Sequence, residues 1–228
     1  MTMASETYEP TDRRPIASRD QRFWKKMAAS LAARGVSANA ISIAGMVAGI
    51  AAGFLLAATS YAEHPWLQRG LWLAAAAGIQ LRLIANMLDG MVAVLSQRAS
   101  RLGELYNELP DRVSDVAIII GAGYAVGGLP TLGYIAAGVA ILTAYVRAVG
   151  KAAGVSNLFV GPMAKPHRMF ILTLTALFMA GLPQKWQPCW GDQHAGLATV
   201  ALTLVIVGGL VTMLRRLALI VGYLRGPS

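Results

Sequence analysis

The sequence is poor in charged residues and in cysteine. Charged side chains make up 14% of the 228 residues, whereas a soluble domain carries about 25%. The single cysteine, Cys189, excludes an internal disulfide and argues against a zinc site built from cysteine and histidine. Hydrophobic residues, in contrast, make up 56% of the chain. This composition is typical of a polytopic helical membrane protein with one domain.

Six apolar runs follow a polar N-terminal segment, and each is near the roughly 20 residues needed to cross the hydrocarbon core. We therefore predict an all-α fold with six transmembrane helices at Ala38–Ser60, Leu71–Gln97, Gly103–Val126, Leu132–Lys151, Pro162–Leu182 and Gly196–Tyr223. Residues 1–17 are expected to form a disordered tail, and residues 18–228 a single transmembrane domain. Ser18–Arg34 has the spacing of an amphipathic helix at the membrane interface, where an anchor is its simplest role.

The basic residues predict the orientation of these helices. The net charge of +9 does not come from a solvated basic stripe, so we expect no nucleic acid partner. Lysines and arginines instead cluster before the first span, between the second and third, between the fourth and fifth, and at the end. The other loops contain only Arg69 and Lys185. The positive-inside rule then places both termini on the cytoplasmic side.

One stretch, Asn86–Asp115, concentrates negative charge in an otherwise apolar context. It contains five of the eleven acidic residues, namely Asp89, Glu104, Glu108, Asp111 and Asp115. Burying unpaired charge is costly, and a metal ion or a partner cation usually relieves that cost. The stretch lies at the predicted cytoplasmic end of the second and third spans, and we interpret it as the working site.

Helical spacing brings the oxygen-bearing side chains of this stretch onto two faces. One face carries Arg82, Asn86, Asp89 and Ala93, and the other carries Asn107, Asp111 and Asp115. Two helices that approach each other would direct these oxygens into one pocket. Ligation by oxygen alone suits Mg²⁺ or Mn²⁺ and not zinc or copper.

The same stretch resembles the CDP-alcohol phosphotransferase family, whose pattern is D-x-x-D-G-x-x-A-R, about eight residues, then G-x-x-x-D-x-x-x-D. Here the corresponding residues are Asn86, Asp89, Gly90, Ala93 and Val94, followed after eight residues by Gly103, Asn107 and Asp111. The segment from Ala38 to Ser42 is similar to the family's P-N-x-x-T signature at the start of the first span. The resemblance covers most of the chain after residue 18 and implies six transmembrane helices, an interfacial N-terminal helix and a homodimer.

The resemblance also implies roles for individual residues. The motif positions Asn86, Asp89, Asn107 and Asp111 would hold Mg²⁺ or Mn²⁺, and Asp111 would in addition act as the catalytic base. Asp115 is a further metal-ligand candidate, because in a second register Asp111 and Asp115 take the third and fourth positions. We prefer the first register, since it keeps the distance from Gly103. The cofactor-binding positions are Gly90, Ala93, Gly103 and Asn39.

Basic residues near this site are candidates for binding the substrate, and they are Arg82, Arg147, Lys151, Lys165 and Arg168. Arg82 lies inside a predicted span, where arginine is either functional or the counter-charge of the acidic cluster. The other four also satisfy the positive-inside rule, so orientation alone explains any one of them. Asp111 likewise has a plain alternative, a structural carboxylate paired with Arg112 or Arg82.

The function that the resemblance implies is transfer of a phosphatidyl or related phospho-alcohol group in phospholipid synthesis. The donor is a CDP-linked lipid, with CDP-diacylglycerol preferred, the acceptor is a small alcohol and CMP is released. We expect an integral protein of a bacterial inner membrane, surrounded by membrane lipids. Three positions depart from the pattern, Asn86, Asn107 and Val94. The two asparagines favour an alternative, a catalytically silent member that binds CDP-lipid or serves as a structural partner. A cation transporter ranks last, because the fourth to sixth spans lack acidic residues.

Overall fold

The computed structural model describes residues 21–96, 101–155, 160–183, 186–191 and 195–226, without the side chains of residues 101–104, 106, 107 and 189. The described chain is all-α, as predicted. Its helices are α1 (Arg22–Ala33), α2 (Ala38–Ala58), α3 (Pro65–Leu95), α4 (Arg101–Tyr124), α5 (Pro130–Ala152), α6 (Lys165–Gly181) and α7 (Leu197–Arg225). A 3-10 turn, Thr59–Tyr61, follows α2, and strands β1 (Cys189–Trp190) and β2 (Ala195–Gly196) pair antiparallel. The predicted tail lies outside the described residues.

Four of these helices are long and apolar enough to cross a membrane, namely α2 with its 3-10 turn, α3, α5 and α7. The chain is therefore an integral membrane protein. Helix α4 carries the charges of the acidic stretch, and α6 has 17 residues. By the same standard of length and apolar composition, α4 and α6 do not qualify as membrane spans. The count of six spans therefore stays a prediction. Helix α1 forms where the amphipathic helix is expected, and its place at the membrane interface also stays a prediction.

Helix α3 begins at Pro65 and not at Leu71, where the apolar run starts. The reason is local. Proline suits the first turn of a helix because its missing N–H would be unpaired there. His64 Nδ1 in turn accepts a hydrogen bond from the backbone N–H of Trp66 at 3.3 Å. Hydropathy alone does not detect such a capped start.

The six longer helices form a ring in the order α2, α4, α5, α7, α6 and α3, and α4 also contacts α3, α6 and α7. Helix α1 lies against α3 outside the ring. Small side chains such as Ala75, Ala136 and Ala201 fill much of the core. Large apolar side chains such as Phe54 and Leu81 are exposed on the outside, as expected for a surface that faces lipid.

Helices α2 and α4 lie in close contact because α2 presents glycine at every fourth position. A Cβ atom on Gly49 would lie 2.5 Å from Ser114 Cβ, and one on Gly53 would overlap the carbonyl oxygen of Ala117. On α4, a Cβ atom on Gly121 would overlap the backbone of Gly53. Small residues allow backbones to approach in this way in membrane proteins. The contact brings the acidic half of α4 close to α2 and α3.

Replacing Gly53 by alanine is expected to destabilise the fold by about 1–3 kcal/mol, because the added methyl group meets α4 backbone that cannot move aside. The measurement is the midpoint of unfolding by SDS in mixed micelles. Gly138→Ala is the matched control, since Gly138 also lies inside a helix but has open space around it. That control should gain up to about 1 kcal/mol through helix propensity. Equal midpoints for the two variants would contradict the packing argument.

Candidate functional site

Several predicted site residues, including Asn86, Asp89 and Asp111, meet where α2, α3 and α4 converge. A small cavity there is lined by Ser42, Gly45, Met46, Arg82, Asn86, Asp89, Pro110, Asp111 and Ser114. Asn86 and Asp89 come from α3, and Asp111 comes from α4. Two helices therefore direct oxygen-bearing side chains into one pocket, as the helical spacing predicts.

Asp89 is buried, with 4% of its surface exposed. Its Oδ2 accepts a hydrogen bond from Ser42 Oγ at 2.6 Å, and its Oδ1 accepts one from the backbone N–H of Gly90 at 2.5 Å. Helix α2 approaches closely enough for the first bond because it has glycine at position 45, where a Cβ atom would lie 2.7 Å from Ala85 Cβ. The carboxylate is thus oriented by two neutral donors.

Asp111 is held by two cations. Its Oδ1 accepts a hydrogen bond from Arg82 Nη2 at 3.0 Å, and its Oδ2 is paired with Lys165 Nζ. The same Lys165 ammonium donates to Asn86 Oδ1 at 2.8 Å. A lysine from the first turn of α6 therefore joins the first and fourth motif positions.

Arg82, which lines the cavity, forms a buried ion pair with Asp115 next to it. Arg82 Nη2 lies 2.7 Å from Asp115 Oδ1, and Arg82 Nε donates to Ser114 Oγ at 2.8 Å. Arg168 Nη2 contacts Asp115 Oδ2 at 3.2 Å. All three charged side chains are at most 3% exposed. Asp115, predicted as a further metal ligand, is paired here with two arginines. Arg82 is the counter-charge of both Asp111 and Asp115.

Another ion-pair cluster lies at the edge of the site. Glu108 accepts from Arg147 Nη2 at 2.7 Å and is also paired with Arg112. Lys151 is exposed at the end of α5 and does not line the cavity. Asn39 lies instead at a second cavity of about 360 Å³, which is lined by Ala32, Gly35, Val36, Ser37, Ala38, Asn39 and Ser96.

The remaining predicted positions are less informative. Gly90 and Ala93 are half-buried near the end of α3. The side chain of Asn107 lies outside the part of the chain that the structure describes, as does the immediate environment of Gly103. The roles assigned to these four residues therefore stay predictions.

Three contributors to the site were not identified as such from the sequence. Ser42 orients Asp89, and Ser114 accepts from Arg82. Arg216 Nε donates to the carbonyl of Val160 at 3.0 Å and its Nη1 donates to Thr143 O at 2.9 Å, which fastens the segment that leads into α6. An arginine inside the apolar α7 is a signal that could have identified Arg216. The two serines give no such signal, because short polar side chains are common in helices.

The donor set fits a hard divalent cation, although no three histidine, cysteine, aspartate or glutamate side chains among the described residues are grouped to hold a metal. Asn86 Oδ1 and Asp111 Oδ2 come from different helices and already share one ammonium cation. Asp89 lines the same cavity. Carboxylate and amide oxygens are the ligands that Mg²⁺ and Mn²⁺ prefer.

Comparison with known proteins supports the resemblance. No family model matches the chain. The chain is 31% identical over 195 residues to phosphatidylinositol phosphate synthase of Streptomyces avermitilis, covering 83% of this chain and 74% of that protein. It is 27% identical over 167 residues to the inner membrane protein YnbA of Escherichia coli, covering 73% of this chain and 79% of that protein.

The fold is shared with the crystal structure of Mycobacterium tuberculosis phosphatidylinositol phosphate synthase with CDP-DAG bound. The TM-score is 0.68 at 21% identity, over 88% of this chain and 94% of that chain. The structure of the same enzyme in complex with manganese and citrate gives a TM-score of 0.67 at 20% identity, over 86% and 88% of the two chains. Together with the matched motif spacing and the relative at 31% identity, these similarities show that the chain belongs to the CDP-alcohol phosphotransferase family.

Proposed function

We propose that this chain transfers a phosphatidyl group from a CDP-linked lipid to the hydroxyl of a small alcohol and releases CMP, as a step of phospholipid synthesis. The observation that carries the proposal is the convergence of Asn86, Asp89 and Asp111 from two helices on one cavity. Family membership and the CDP-DAG bound to the Mycobacterium tuberculosis enzyme support CDP-diacylglycerol as the donor.

We assign the metal and the nucleoside of this reaction to different residues of the site. Asn86, Asp89 and Asp111, with Asn107 of the same motif, would hold Mg²⁺ or Mn²⁺, the metals of the family, and manganese is present in a structure of the Mycobacterium tuberculosis enzyme. When bound, such a cation neutralises the diphosphate oxygens and the departing CMP. The cavity beside Asn39 and Ser96 offers space for the nucleoside.

The transfer itself needs a base and an aligned acceptor. The acceptor oxygen forms a bond to the lipid-linked phosphorus while the bond from that phosphorus to the CMP oxygen breaks, and the hydroxyl proton passes to Asp111. Asp111 Oδ1 and Oδ2 each accept from one cation here. A carboxylate oxygen has a second lone pair, so Asp111 keeps acceptor capacity for the hydroxyl.

The acceptor that we propose is a phosphorylated small alcohol. Arg147 lies at the edge of the acidic site, and Lys151 follows one turn after it on α5. The names of the synthase relatives support the same acceptor class. The proposal further includes six membrane spans, α2 to α7, with both termini and the site on the cytoplasmic side of a bacterial inner membrane. It also includes the homodimer that the resemblance implies.

The test is CMP release by the purified protein from CDP-diacylglycerol in the presence of Mg²⁺ or Mn²⁺. The acceptors are glycerol phosphate, inositol phosphate, serine, inositol and glycerol, with a reaction lacking acceptor as the control. We expect release to depend on one of the two phosphorylated acceptors and to stop when EDTA removes the metal.

The same assay decides the alternative, a silent family member that binds CDP-lipid or supports a partner. This reading is favoured by the lysine that pairs with Asp111 and by the amide at position 86. It would be correct if no acceptor raised CMP release above the level of the Asp111→Asn variant.

A further inference from the structure

The position of the Lys165 ammonium is unusual for a basic residue that only orients a membrane protein. Its Nζ lies between Asn86 Oδ1 of α3 and Asp111 Oδ2 of α4, and its side chain is 17% exposed. These two oxygens come from different helices and belong to the proposed metal-ligand set. The ammonium thus occupies the place of a cation that bridges the two helices.

The structure holds this lysine in place from several sides. Lys165 is the first residue of α6, and Arg168 in the same turn donates to Asp115 Oδ2 and to the carbonyl of Met163, both at 3.2 Å. The preceding segment is fastened to α7, because the backbone N–H of Met163 donates to Thr212 Oγ1 at 2.9 Å. The ammonium is therefore carried by anchored backbone on both sides.

The negative charge that lines the cavity comes from two carboxylates, Asp89 and Asp111. Asp115 does not line it and is paired with Arg82 and Arg168. Asn86 and Asn107 are neutral at two positions where the pattern has aspartate. The site therefore has two negative charges fewer than the pattern, and these equal in magnitude the charge of one divalent cation. The two carboxylates that line the cavity carry the charge that neutralises one divalent ion and not two.

We propose that the Lys165 ammonium fills one cation position of the site and that the chain binds a single divalent ion, held by Asp89 and Asp111. The proposal rests on the proposed function in one respect, that the acidic cavity is a metal site. It makes Lys165 a positioning residue, one that holds Asn86 and Asp111 together across the two helices.

The test is a titration of the purified protein with Mn²⁺ alone, in which electron paramagnetic resonance counts the free and the bound ion. We expect one Mn²⁺ per wild-type chain. Lys165→Met and Lys165→Gln should bind Mn²⁺ about tenfold more tightly, because a positive charge next to a ligand is removed. The double variant Asn86→Asp with Lys165→Met should bind two ions per chain. Lys26→Met, on the exposed face of α1, is the matched control and should match the wild type.

Three results would overturn the inference: two ions bound per wild-type chain, unchanged Mn²⁺ affinity in both Lys165 variants, or no Mn²⁺ bound by the wild type and both variants. Lys165→Gln keeps a hydrogen-bond donor, so it serves as the folded substitute if Lys165→Met fails to give a monodisperse protein. The titration contains no CDP-lipid, and so its outcome is separate from that of the CMP assay. A chain that binds one Mn²⁺ and releases no CMP would sustain this inference and refute the proposed function.

Discussion

Replacing Asp111 by asparagine is expected to lower the rate of CMP release about a thousandfold. A positioned general base contributes about 10²–10⁴ to a rate, and an amide cannot take the proton of the acceptor hydroxyl. The amide also removes one negative charge from the ligand set that would hold the metal against the diphosphate. The measurement is the initial rate of CMP release at saturating CDP-diacylglycerol and acceptor.

The structure permits a clean version of this experiment. Without the Asp111 carboxylate, Arg82 still contacts Asp115 and Ser114, so the buried ion pair with Asp115 remains. Glu63→Gln is the control for loss of one carboxylate, because Glu63 is exposed in the loop before α3. Asp111→Asn protein that is folded and keeps more than a tenth of the wild-type rate would show that Asp111 is a structural partner of Arg82 and not the base.

Replacing Arg82 by methionine should destabilise the folded protein by about 3–5 kcal/mol, the cost of breaking a buried ion pair from one side. Arg82 is 1% exposed and contacts both Asp111 and Asp115. Methionine has a similar length and no charge. Among the described residues, Arg168 at 3.2 Å would then be the remaining ion-pair partner of Asp115, whose side chain is buried.

The midpoint of SDS unfolding measures this effect. Arg22→Met is the matched control, since Arg22 is exposed at the start of α1, and its loss should change stability by less than about 0.5 kcal/mol. Arg82→Lys should recover only part of the loss, because a lysine lacks the fork that reaches Ser114 and two carboxylates at once. A loss below about 1 kcal/mol in Arg82→Met would mean that the pair contributes no more than a surface ion pair does.

The site illustrates which features can be predicted from a sequence. Asn86 and Asp89 were placed on one helical face, and Asp111 on another, from the 3.6-residue period alone. In the structure all three side chains line one cavity. The period is a property of the local backbone, so it can be derived from residues a few positions apart.

The contact partners of these residues could not be predicted in the same way. Lys165 was predicted to bind substrate, and that role stays a prediction. In the structure its ammonium contacts Asn86 and Asp111. Before the fold is known, positive charge at that position is explained equally well by membrane orientation. Arg82 had two open interpretations, and the ion pairs with Asp111 and Asp115 support the counter-charge.

By itself, the sequence determined that the protein is helical and embedded in a membrane, and which two stretches carry the oxygen-bearing side chains that line one cavity. Both conclusions depend on composition and helical period, which are local. Only the tertiary structure decided which cations lie against those oxygens, because α6 meets α3 and α4 through contacts between residues far apart in the chain. Electrostatic energy falls with distance in space and not along the sequence, so the charge balance of this site appears only once the helices are packed.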